Sequence, residues 1–203
     1  LFDNLVLLEF AVEKSGADVV RITKRKYPDY PVTYEKFQIY DLASSEWNLF
    51  LDSDFLIHPE LFDFTEHVPK DRVFINNDNL AVGRYAPDNY FRRDGRYTSV
   101  STHIVMVSDW CMDAWKPTDL TREQVAANIY ELPRENFTGD TSWRMDDYIF
   151  SRNIARYGLV IENVHSVYKR LFGHTNLEYY YHPQGECDKL SNIMDKVRYW
   201  DEY

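Results

Sequence analysis

The stretch that decides the fold is Asn48 to Pro59, NLFLDSDFLIHP. Trp47 to Leu51 (WNLFL) is a nearly continuous apolar run, the pattern of a strand buried on both faces. It runs straight into Asp52-Ser53-Asp54, after which apolar residues resume. In an extended chain, side chains two residues apart point to the same side. Two carboxylates brought together at the end of a hydrophobic strand repel each other unless a counter-ion sits between them. A hard divalent cation meets that need, with carboxylate oxygens and the two phosphates of a donor as ligands. It would then neutralise a leaving diphosphate as a Lewis acid. A plain turn after the strand is the competing reading of the same residues.

Outward from this stretch, strands and helices alternate. Leu5 to Lys14 has a helical apolar period closed by Gly16, and Ala17 to Thr23 is β-branched and reads as a strand. Tyr34 to Ala43 reads as a helix capped by Thr33. Val73 to Asn76, His103 to Val107 and Val160 to Val164 read as strands. Glu123 to Tyr130, Asp146 to Tyr157 and Cys187 to Trp200 read as helices. The alternation predicts one α/β domain with a mainly parallel central sheet and ligand binding beyond the carboxyl ends of its strands. Such domains open with a strand, whereas this chain opens with a helix. The expectation is that one strand and its loop, roughly 20–25 residues, precede it.

Composition sets limits on function. The chain has 203 residues, 44% of them apolar and 16% aromatic, enough for one packed core. A formal charge of −10 argues against a nucleic-acid groove, and the basic run Arg21 to Lys26 reads as a solvated connection. Cys111 and Cys187 lack metal or disulfide spacing and suit a reducing compartment or two inert core thiols. No apolar run approaches the ~18 residues of a membrane span, and no leader pattern opens the chain. A cytoplasmic location is the expectation.

The run Glu35 to Phe64, EKFQIYDLASSEWNLFLDSDFLIHPELFDF, resembles the centre of the GT-A glycosyltransferases, in particular the glycogenin and lipopolysaccharide galactosyltransferase group. A Lys-bearing helix (Lys36), a strand ending in LDxD (Leu51 to Asp54), an apolar segment (Phe55 to Ile57) and a Leu-Phe-Asp helix (Leu61 to Asp63) occur in that group's order. Further on, Ser101 to Met106 takes the place of the family's Asn-Ser-Gly strand without its Asn or Gly. Asp146-Asp147 stands where an Asp-Gln pair opens a helix, and Tyr179 to Gly185 resembles the segment carrying the last metal-binding His.

The resemblance implies a Rossmann-like α/β/α sandwich and a sugar transferase. Its cofactor would be Mn²⁺ or Mg²⁺, its donor a nucleotide-sugar, expected to be a UDP-sugar, and its acceptor a carbohydrate or glycoprotein. Carried over residue by residue, the metal ligands are Asp52, Asp54 and His182, with His174 as the alternative third ligand. Lys36 and Lys189 are the candidate diphosphate contacts. Asp146 and Asp147 are the candidate catalytic acids, one supplying the general base. Asp147 in place of Gln departs from the retaining branch. Two other classes stay open: a sugar nucleotidyltransferase, and a sugar-nucleotide-binding module that has lost catalysis.

Overall fold

The computed structural model describes residues 18–52, 55–58, 61–76, 92–93, 96–97, 100–130, 144–175, 180–181 and 188–202. Its centre is a sheet of four strands: β1 (Trp47–Leu51), β3 (Arg72–Ile75), β6 (Ile104–Ser108) and β7 (Val160–Asn163), in the order β1-β6-β3-β7. Two short pairs lie outside it, β2 (Leu56–Ile57) with β8 (Tyr180–Tyr181) and β4 (Arg92–Arg93) with β5 (Arg96–Tyr97).

The period-2 alternation of the strands divides the core. Val73 and Ile75 of β3 and Val105 and Val107 of β6 face one cluster with Tyr34, Phe37, Trp115, Ile149 and Phe150. Phe74, Ile104 and Met106 face the other, with Phe55, Phe64, Val164, Val167 and Tyr168. The first cluster is closed by the 3₁₀ segments Val32–Gln38 and Asp109–Trp115 and by the helix Met145–Tyr157. The second is closed by the helix Val164–Phe172 and the 3₁₀ turn Phe64–Glu66. With both faces covered and a neighbour on each side, β6 is buried at every position.

The fold is mixed α/β, as the alternation predicts, but the sheet is not mainly parallel in its pairing. β6 is antiparallel to both β1 and β3, and among the described residues only β3–β7 is a parallel pair. An antiparallel neighbour needs no helical crossover, and among the described residues no helix lies between β3 and β6. β1, β3 and β7 still share one direction, so their carboxyl ends reach the same edge.

Other expectations are adjusted. β1 has the predicted bounds but is half-buried, with Leu49 exposed; among the described residues it pairs only with β6. Residues 18–23 form neither helix nor strand, and Val19 and Val20 face solvent without a ladder partner to fix a pleat. The helix around Lys36 starts as a 3₁₀ turn at Val32 and becomes α-helical only over Ile39–Leu42. Pro31 is its N-cap, and the Thr33 hydroxyl caps nothing. Leu61–Asp63 is not a helix; Asp63 caps the turn after it by accepting from Thr65 N. The predicted Val160 strand ends at Asn163, which caps the following helix through His165 N. Helices over Arg122–Tyr130, Met145–Tyr157 and Lys189–Glu202 stand close to their predicted positions, and Gly158 ends the second in the left-handed conformation at φ 68°. The Leu5–Lys14 helix lies outside the described residues. No described helix is long and apolar enough to cross a membrane.

Candidate functional site

Because β1, β3 and β7 run together, the residues after them emerge at one edge, and the residues before the reversed β6 arrive there too. Asp52, just past β1, donates its N–H to His103 O at 3.0 Å and so extends the ladder by one step. Thr102 and His103 precede β6, and Asn76 follows β3. The helix Met145–Tyr157 starts at the same place, with Asp146 and Asp147 in its first turn, where carboxylates are favoured by unpaired N–H groups and the helix dipole.

Lys36 joins these elements. Its Nζ lies 2.9 Å from Asp52 Oδ1 and 3.0 Å from Asp146 Oδ2, and it donates to Thr102 Oγ1 at 3.2 Å. Thr102 N–H donates to Asp147 Oδ1 at 2.8 Å, and the Thr102 hydroxyl lies 2.8 Å from both Asp146 Oδ2 and Asp147 Oδ1. Ser151 adds a tether, accepting from Val100 N and donating to Asp147 O. Asp146 and Asp147 are 2% and 7% exposed, while the Asp52 side chain is 26% exposed. The cluster therefore opens to solvent at Asp52.

The electrostatics follow from this geometry. Burial works against the Lys36 charge, yet Asp146, Asp52 and Asp147 outweigh it and hold the ammonium protonated well above the ordinary lysine range. Burial and then the Asp146 charge push the Asp147 carboxyl up to about 7, against the opposing pull of Lys36 and the Thr102 hydrogen bonds. One hydroxyl proton cannot serve two carboxylates at once, and a proton on Asp147 removes that conflict. Among the described residues, Asp146 Oδ1 is buried with no hydrogen-bond partner.

No family model, curated protein or solved structure matches this chain.

Of the residues singled out in the sequence, Lys36, Asp52, Asp146 and Asp147 are brought together. Asp54 and His182 lie outside the described residues. The backbone of Lys189 begins the last helix. His174 is exposed beyond the helix Val164–Phe172, stacked on Phe172 at 5.9 Å. Among the described residues no three His, Cys, Asp or Glu side chains group to hold a metal. Sequence reasoning missed Thr102, the hinge of the cluster, and the neighbouring array in which Asn76 Nδ2 lies 2.9 Å from His103 Nε2 and His103 Nδ1 lies 2.8 Å from Ser101 Oγ. The ring of His103 stacks on Phe55, centroids 6.0 Å apart. The available signal was polar Ser101-Thr102-His103 leading directly into an apolar strand. Of the large aromatics, Trp115 is core and Trp110 is exposed.

Proposed function

We propose that this chain is the catalytic region of a metal-dependent glycosyltransferase of the GT-A type, moving a sugar from a nucleoside-diphosphate donor, a UDP-sugar, to the hydroxyl of a carbohydrate or glycoprotein acceptor. The observation that carries this reading is the union of Asp52, Lys36 and the Asp146-Asp147 pair at the carboxyl edge of the sheet, the edge where α/β sheets bind ligands.

Of the expected ligands of a hard divalent cation, Asp52 is among the described residues, where it pairs with Lys36. Two carboxylates, Asp52 and Asp146, pair with one ammonium, and among the described residues Asp146 Oδ1 has no hydrogen-bond partner. The β2–β8 pair, Leu56 with Tyr181, joins the chain segment following Asp54 to the one preceding His182. Asp52, Asp54 and His182 would hold the cation, which when bound supplies Lewis-acid neutralisation of the departing diphosphate. Lys36 offers a second positive charge to the same phosphates, and Lys189 is the further candidate.

Asp147 is the proposed base. A carboxylate titrating near 7 can be ionised at working pH and still take a proton. It accepts the acceptor hydroxyl's proton as that oxygen bonds to the anomeric carbon and the carbon–oxygen bond to the diphosphate breaks. Thr102 fixes the carboxylate through its N–H. The burial of both acids also favours a second reading, a binding module without turnover.

Thermal unfolding with UDP, with and without Mn²⁺, tests the site: a Mn²⁺-dependent rise in melting temperature is expected through linkage. Release of nucleoside diphosphate from a donor panel then separates enzyme from module. The absence of any Mn²⁺-dependent stabilisation by nucleoside diphosphates would defeat both readings.

A further inference from the structure

A threonine hydroxyl has one hydrogen to donate and two lone pairs with which to accept. Thr102 Oγ1 meets three polar neighbours: Lys36 Nζ at 3.2 Å, which donates to it, and the oxygens Asp146 Oδ2 and Asp147 Oδ1, each at 2.8 Å. Lys36 takes one lone pair, so one hydrogen and one lone pair remain for two acids. With both acids ionised, one of them faces a lone pair at hydrogen-bond distance, a repulsion that burial strengthens. With one acid carrying a proton toward the hydroxyl, every position around Oγ1 is used.

The surroundings decide which acid carries it. Asp146 Oδ2 also lies 3.0 Å from the Lys36 ammonium, which favours its ionised form. Among the described residues Asp146 Oδ1 has no hydrogen-bond partner, so a proton there would have no acceptor. A proton on Asp147 Oδ1 has one, the Thr102 hydroxyl. Among the described residues the charged side chains that bear on Asp147 are Asp146 of its own helix and Lys36, with Asp52 beyond the ammonium. Arg152 and Arg156 of the same helix bond to Asp119. The segments Asp109–Trp115 and Arg122–Tyr130 pack on that helix through the apolar Ala114, Trp115, Val125 and Ile129.

We propose that Thr102 is a positioning residue that keeps one proton on Asp147: its hydroxyl donates to Asp146 and accepts from Asp147, and Lys36 fixes that direction. Ionising Asp147 then costs a hydrogen bond, because the hydroxyl must either present a lone pair to the new anion or turn and abandon Asp146. A hydroxyl draws a carboxyl pKa down only where it donates to that carboxylate, and here it accepts. Only the Thr102 main-chain N–H favours the Asp147 anion. The carboxyl, pushed up to about 7, is in line with a proton held in this way. As the device that sets when Asp147 is free to act as a base, the bridge rests on the sugar-transfer reading. As a way of holding a proton it needs neither donor, acceptor nor metal.

The test follows the side-chain carboxyl ¹³C resonances of Asp146 and Asp147 in the full chain from about pH 4.5 to 8.5, a span chosen to bracket the Asp147 titration. Thr102→Val removes the hydroxyl but keeps the branched shape and the main-chain N–H, and Thr102→Ser keeps the hydroxyl. The Asp147 midpoint should fall by about one pH unit in Thr102→Val and stay at the wild-type value in Thr102→Ser. An unchanged or raised midpoint in Thr102→Val overturns the proposal, since a hydroxyl that donated to Asp147 would on removal move it up. Should Thr102→Val fail to fold, the wild type decides: Asp147 should carry the larger shift on titration while Asp146 stays at its ionised position. A larger shift at Asp146, or no titration of either acid across the range, counts equally against the bridge. Where a donor is turned over, the acid limb of the rate should move down in Thr102→Val together with the ¹³C midpoint. The expected ¹³C shifts with no turnover of any donor would sink the transferase reading and leave the bridge standing.

Discussion

Replacing Asp147 by Asn isolates the proton that the cluster demands. Asparagine keeps a carbonyl oxygen for the Thr102 N–H, which now lies 2.8 Å from Asp147 Oδ1, but it cannot ionise. In the folded wild type this carboxyl is pushed up to about 7, against an ordinary value of 3.8, by burial first and the Asp146 charge second. Between those values the folded chain holds the proton and the unfolded chain does not. The sign follows: stability from this group is full at low pH, falls as pH rises toward about 7, and is flat above that. The slope is at most about 1.4 kcal/mol per pH unit, so across three units the limit is about 4 kcal/mol. Urea unfolding of both proteins from about pH 4.5 to 8.5 should show the variant gaining on the wild type as pH rises, with equal m-values. Parallel curves would refute the assignment of a buried, proton-holding carboxyl to Asp147. The same variant should lose sugar transfer while keeping Mn²⁺-dependent binding of UDP, and wild-type turnover should rise through about pH 7 as Asp147 ionises.

Three further outcomes are expected. Glu35 is buried and accepts from Arg25 Nε, Lys26 N, Tyr27 N and Gln38 Nε2; burial pushes its carboxyl up, but these bonds outweigh it and the pKa is lowered. Glu35→Gln should cost about 2 kcal/mol at neutral pH, and the difference from wild type in urea unfolding should shrink as the solution is acidified through the lowered pKa of Glu35. Gly173 ends its helix at φ 76°, and among the described residues no atom beyond its own chain neighbours stands within 4 Å of where a Cβ would be, so Gly173→Ala should lose about 1 kcal/mol from backbone conformation alone; a much larger loss would contradict that. Trp115 is fully buried against Phe37, Phe50 and Phe150, and Trp115→Ala should cost about 3–5 kcal/mol in the same assay.

What could be read from the sequence was local. WNLFL ending at Asp52 gave β1 to the residue, because an apolar run stopped by a carboxylate needs no distant information. The helix at Met145 was legible for the same reason, from Gly158 at its end and acids in its first turn. Residues 18–23 were misread because β-branched residues favour a strand only where a ladder partner exists. Within the site, the carboxylates were found by their pattern and Lys36 by its place in a resemblance. Their joint contact through Thr102 depends on sheet order and strand direction, which short-range periodicity does not encode. Asn76 and His103 were invisible for that reason as well: each is an ordinary residue at a strand end until the register places them 2.9 Å apart.

Strand direction also explains why this edge is so densely polar. In an all-parallel sheet only the carboxyl ends of strands reach the ligand edge, and they deliver carbonyls and side chains. Here the reversed β6 sends an incoming segment to the same edge, with main-chain N–H groups not yet used by the ladder. Thr102 N–H is one, and it goes to Asp147. The Thr102 hydroxyl, whose one proton is also within reach of Asp146, lies against the same Asp147 oxygen. An antiparallel strand beside β1 is therefore what allows two buried acids and one ammonium to sit together next to an Asp that remains open to solvent.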